Sequence, residues 1–96
     1  MANARILVVD DEPDLLELIE LTLSRMGFDT RPAADLRQAR ALLMAEPFDL
    51  CLTDMRLPDG DGLALVQWIQ EHRPETRQRL LLASSHDSTS LSMASW

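Results

Sequence analysis

The sequence predicts a doubly wound α/β domain, a parallel sheet covered by helices on both faces. Three observations point there. The run Ile6-Leu7-Val8-Val9 is short, continuous and apolar, the pattern of a strand buried on both faces. Stretches with apolar residues at helical spacing alternate with such runs along the chain. The 96 residues, 46% of them hydrophobic, are enough for one small domain with one modest core.

The first strand ends in Asp10-Asp11-Glu12-Pro13. Proline is tolerated in a first helical turn, and acidic side chains there suit the helix dipole. The helix that follows carries Leu15, Leu18, Ile19, Thr22, Leu23 and Met26 as its apolar stripe, and Gly27 is its natural stop. Phe28 to Arg31 is a weaker strand candidate. Asp35 caps a second helix with the stripe Leu36, Ala39, Leu42 and Leu43, which Glu46-Pro47 ends. Phe48 to Thr53 reads as a third buried strand running into Asp54. A polar, turn-rich loop, Arg56 to Gly62, comes next. A third helix with Leu63, Leu65, Val66 and Ile69 stops by Pro74, and Leu80 to Ala83 is the fourth strand candidate. From His86 to Trp96 no periodicity is visible, and this tail is expected to be irregular. The domain is therefore placed at residues 1–85 and the tail at 86–96.

The formal net charge is −7, and all nine basic residues are arginines. That balance argues against direct nucleic-acid binding, which needs a basic face. The single cysteine, Cys51, excludes an internal disulfide framework and fits a reducing, cytoplasmic setting. It lies in an apolar strand and reads as core. No apolar run follows a basic region near Met1, and no stretch is long enough to span a bilayer, so neither export nor membrane insertion is expected. His72 and His86 are isolated and read as surface residues.

Three acids stand where a doubly wound sheet places its ligands, at the carboxyl ends of strands near the switch in strand order. Asp10 and Asp11 follow the first strand, and Asp54 ends the third. Either motif alone is commonly no more than a helix start or a turn. On two neighbouring strands they converge, and three converging carboxylates repel one another unless a hard divalent cation neutralises them. Mg²⁺ suits such a set, because it needs few protein oxygens and keeps several waters. A carboxylate in that setting can also act as a nucleophile and form an aspartyl-phosphate.

Ile6-Leu7-Val8-Val9-Asp10-Asp11-Glu12 resembles the opening of receiver domains of two-component response regulators. Leu52-Thr53-Asp54-Met55-Arg56-Leu57-Pro58-Asp59, with Gly62, resembles their phosphorylation loop. The wording from Phe48 to Gly60 is most similar to receivers of NtrC-type transcriptional activators, among them regulators of type IV pilus genes. The resemblance covers Arg5 to Pro74. It implies a flavodoxin-like (CheY-like) fold and a phosphoryl group passed from a sensor histidine kinase to Asp54. It implies Mg²⁺ held by Asp11, Asp54 and the backbone carbonyl of Arg56, with Asp10 assisting, and a loop shaped by Pro58 and Gly62. Ser84 stands at the family's separation from Asp54 for the hydroxyl that senses the phosphate. The family's lysine at the end of a fifth strand has no counterpart in a chain without lysine. The receiver is thus expected to be incomplete, without the fifth strand and last helices. Its fourth strand would be a bare edge through which a homodimer could form. Two rivals remain. One is a pseudo-receiver that only mediates contacts. The other is an aspartyl-phosphate hydrolase, disfavoured because Arg56 stands where such enzymes carry a second acid.

Overall fold

The structure is a computed structural model that describes residues 3–81 and 93–95. Its elements are β1 (Arg5–Val9), α1 (Pro13–Arg25), β2 (Asp29–Ala33), α2 (Leu36–Ala45), β3 (Leu50–Asp54), β4 (Arg56–Leu57), β5 (Gly60–Asp61), α3 (Gly62–His72), β6 (Arg77–Leu81) and β7 (Met93–Ser95). The main sheet has the order β2-β1-β3-β6-β7. The first four of these strands are parallel, and their order is that of a flavodoxin-like sheet, as expected. From β1 the chain winds outward to β2, then crosses back to β3 on the other side. The switch in direction therefore lies between β1 and β3.

The alternation of side chains along β1 divides the core into two layers. Leu7 and Val9 face α2 and α3 and pack with Leu36, Ala39, Leu43, Leu65 and Ile69. Ile6 and Val8 face α1 and pack with Ile19 and the half-buried Leu15, Leu16 and Leu23. Cys51 and Leu52 repeat the division on β3. This is why both strands read as unbroken apolar runs.

Helix ends follow local chemistry. Pro13 stands at the start of α1, and Gly27 takes φ +94° just beyond its C-terminal end, a left-handed conformation that favours glycine. Asp35 caps α2 by accepting from the Gln38 N–H at 2.8 Å, and Asp61 caps α3 by accepting from the Ala64 N–H at 2.7 Å.

The structure corrects four details of the sequence reading. Leu18 and Met26, assigned to the α1 core stripe, are exposed, whereas Leu16 is half-buried. Leu63 of α3 is likewise exposed. The fourth strand begins at Arg77, not Leu80, because the Arg77 N–H donates to the Asp49 carbonyl at 3.0 Å and sets its register against β3. The fifth place in the sheet is filled by β7, a three-residue strand running antiparallel to β6 along Arg79–Leu81. Part of the tail expected to be irregular therefore joins the sheet, and the edge of β6 is not bare there. Among the described residues, no helix is long and apolar enough to cross a membrane.

Candidate functional site

The parallel ladder carries Asp10 and Asp54 to the same end of adjacent strands. Val9 is level with Thr53, so the next residue of each strand opens onto the crevice at the switch point. Asp10 is held there by its own backbone, whose N–H donates to the Ala33 carbonyl at 3.0 Å. Its Oδ1 accepts from the Glu12 N–H at 2.8 Å, a local turn that leads into α1. Asp11, the next residue, is exposed.

One carboxylate oxygen from each of Asp10, Asp11 and Asp54 lies within 4.8 Å of the others. Asp10 and Asp54 are buried, at 0% and 1% exposure. Oδ2 of Asp10 and Oδ1 of Asp54 are buried and have no hydrogen-bond partner among the described residues. Unpaired buried carboxylate oxygens are costly, and native proteins carry few of them. Burial pushes the Asp10 carboxyl up to about 6, and the negative charges of Asp54 and Asp11 add to the effect, against the Glu12 N–H. Burial also raises Asp54, while the backbone N–H groups of Arg56 and Met55 pull the other way. The carboxylates of the buried Asp10 and Asp54 and the exposed Asp11 are hard donors brought together, and they fit a small divalent cation with an open side to water.

The site sits beside the β4–β5 hairpin. The Gly62 N–H donates to the Met55 carbonyl at 2.8 Å and closes its base, and Leu57 is buried in the α2–α3 layer. The segment from Met55 to Gly62 is therefore held at its base and through Leu57.

A match to the response regulator receiver domain spans residues 6–94. The chain belongs to that family. It is a receiver domain of a response regulator in two-component signalling. It is 58% identical over 83 residues to the response regulator protein PilR of Pseudomonas aeruginosa, a match covering 86% of this chain and 19% of that protein. It is 46% identical over 76 residues to the transcriptional regulatory protein GltR of the same organism, covering 75% of this chain and 30% of that protein. The chain thus spans less than a third of the length of either relative. Among solved structures it is similar to the Thermotoga maritima response regulator TrrA in complex with Mg²⁺-BeF. That match has a TM-score of 0.80 and 32% identity, and covers 86% of this chain and 72% of that one. The expected receiver fold and the likeness to NtrC-type regulators, PilR in particular, are borne out.

Other expectations fall differently. Ser84, the candidate phosphate-sensing hydroxyl, lies outside the described residues, as do Ser85 and His86. Cys51 is fully buried, and its thiol is pushed up to about 12 by that burial, which suits a core residue. His72 is exposed and stacks on Trp68, with ring centroids 4.5 Å apart.

Sequence reasoning overlooked Asp59. Its carboxylate accepts from the Leu36 N–H at 2.9 Å and the Arg37 N–H at 3.2 Å, joining the tip of the hairpin to the first turn of α2. The partners are 23 and 22 residues away, so no local motif could reveal them.

Proposed function

We propose that Asp54 accepts a phosphoryl group from the phosphohistidine of a sensor histidine kinase, in a Mg²⁺-dependent reaction that controls a transcriptional output. The observation that carries this reading is the buried Asp54, set among the carboxylates of Asp10 and Asp11, with its Oδ1 unpartnered among the described residues. In the transfer, a carboxylate oxygen of Asp54 forms a bond to phosphorus as the phosphorus–nitrogen bond of the donor breaks, and the imidazole leaves. Asp11 and Asp54 would hold the metal, with the Arg56 backbone carbonyl as third protein ligand and Asp10 assisting. When bound, Mg²⁺ neutralises the clustered carboxylates and the negative charge of the incoming phosphoryl group. Asp10 acts by its charge from a fixed position, since the Glu12 N–H and the Ala33 carbonyl hold it in place. Ser84 is the proposed hydroxyl that senses the phosphorylated state. The chain would act in the cytoplasm, as a phosphoacceptor and not as an enzyme in the usual sense. The printed name of the transcriptional regulatory protein GltR supports the transcriptional output.

The pseudo-receiver reading keeps its footing on one observation, the absence of any lysine to pair with the phosphate. Intact mass after incubation with acetyl phosphate and Mg²⁺ separates the readings. A lasting single phosphoryl adduct supports the receiver. No adduct would favour the pseudo-receiver, and rapid turnover of the donor the hydrolase.

The metal assignment has its own test. Asp11→Ala removes the exposed member of the triad and should weaken Mg²⁺ binding by roughly tenfold or more, with little change in fold because the side chain is exposed. Calorimetric titration of Mg²⁺ into both proteins measures this. Equal affinity would reject Asp11 as a ligand.

A further inference from the structure

We propose that Asp59 is a positioning residue for the phosphoacceptor loop, holding the β4–β5 hairpin against α2 so that Met55 and Arg56 stay in place beside Asp54. This inference rests on the receiver reading above and adds to it a residue outside the carboxylate cluster.

The hairpin needs an external hold. Its strands are two residues each, far too short to keep their shape alone. The base is closed by the Gly62–Met55 hydrogen bond, and Leu57 anchors one strand in the core. At the tip, one oxygen of Asp59 accepts from the Leu36 N–H and the other from the Arg37 N–H. These two donors are among those that a helix leaves unpaired in its first turn.

The helix does not need Asp59 to begin. It already has Asp35 as its own cap, and Gln38 reaches back to accept from the N–H of Ala34, the residue before that cap, at 3.0 Å. A second carboxylate brought from a distant loop therefore serves the loop. The close fit of the tip agrees. Gly60 has φ +156°, and a Cβ there would collide with Cδ1 of Leu36, so the turn lies directly on the α2 terminus. The charge environment agrees as well. The Leu36 N–H first, then the Arg37 N–H, and the charge of Arg40 one turn further along α2 lower the Asp59 carboxyl and keep it ionised.

The consequence falls on the site. The backbone N–H groups of Met55 and Arg56 act on the Asp54 carboxyl, and Arg56 pairs with Asp61 across the hairpin. Releasing the tip loosens that pairing and lets Arg56 drift from its place.

The test compares wild type, Asp59→Ala, Asp59→Asn and Asp35→Ala as full chains. Mg²⁺ affinity is read by calorimetry, acetyl phosphate labelling by intact mass, and melting temperature in parallel. Asp59→Ala should lose roughly tenfold in Mg²⁺ affinity, the size of effect seen when a supporting partner of a metal ligand is removed. It should also label more slowly. Asp59→Asn, which keeps one acceptor oxygen, should recover much of both. Asp35→Ala should lower the melting temperature and leave Mg²⁺ affinity unchanged. Asp59→Ala matching wild type in affinity and labelling would overturn the inference alone, and so would an equal loss in Asp35→Ala, which would reduce the effect to a weakened helix. A wild-type chain that neither binds Mg²⁺ nor labels would overturn the receiver reading and this inference with it.

Discussion

Asp54→Asn is expected to abolish phosphoryl incorporation from acetyl phosphate while leaving the fold intact. The nucleophile must be a carboxylate oxygen, and an amide oxygen at the same place is too weak to replace it. Asp10 is buried beside Asp54 and keeps its carboxylate in the variant, so locating any residual label by peptide mapping distinguishes the two. The fold should tolerate the change because asparagine has the same shape and removes one of the buried negative charges. Burial raises the Asp54 carboxyl, which means that ionised Asp54 costs the metal-free protein stability at neutral pH. The variant should therefore melt no lower than wild type in EDTA. Intact mass and a melting curve together give the answer. Persistent labelling of the peptide that contains residue 54 would show that the phosphate goes elsewhere. A collapsed fold would leave loss of labelling without chemical meaning, and the melting curve guards against that.

Asp10→Asn is expected to stabilise the metal-free protein at pH 7, against the usual rule that changing a buried residue destabilises. Asp10 lies at about 6 in the folded chain, raised from 3.8. A raised carboxyl means that the folded state binds the proton more tightly than the unfolded one. Its contribution to stability is fully present below about 3.8 and is lost as pH rises through about 6. At pH 7 the loss corresponds to about 3 kcal/mol at most, since each tenfold difference in proton affinity between the two states is worth about 1.4 kcal/mol. Relaxation of Asp11 and Asp54 around the neutral residue reduces this, so a gain of about 1–3 kcal/mol is expected. The gain should fade as pH drops from 6 to 4. Mg²⁺ acts in the opposite sense. At a concentration ten times its dissociation constant it adds about 1.4 kcal/mol to wild type, and less to the variant that has lost one charge from the cluster. Urea denaturation of both proteins in EDTA at several pH values, then with Mg²⁺, would check the prediction. A difference that ignores pH would mean that Asp10 is not the strained charge of this site.

Much of the site could be read from the chain because its chemistry is local. Asp10 and Asp11 follow one apolar strand and Asp54 ends another, so the strand that delivers each residue also announces it. Asp35 and Gly27 were legible for the same reason, since a cap acts within four residues of its own position. What escaped was non-local. The second strand was legible only as a weak candidate over Phe28 to Arg31, and it extends through Pro32 to Ala33 because β1 offers it a parallel partner residue for residue. Leu18 and Met26 look like core on a helical wheel. They are exposed because α1 lies on one side of the sheet and presents Leu15, Leu16, Ile19 and Leu23 to it instead. At the far end of the sheet, Arg5 and Arg31 are each paired with both Asp29 and Glu46, and no spacing rule foretells that group.

The sequence by itself determined the class of the fold, the alternation of its three helices with the four parallel strands and the identity of the three carboxylates. Those properties follow from side-chain periodicity and from turn and cap chemistry that act over a few residues. The tertiary structure alone decided which carboxylates are buried together, where β6 begins, that β7 runs antiparallel beside it, and that Asp59 reaches α2. Each of these depends on which backbone groups meet across the fold, and a hydrogen bond between residues more than twenty positions apart leaves no trace in the local pattern of either partner.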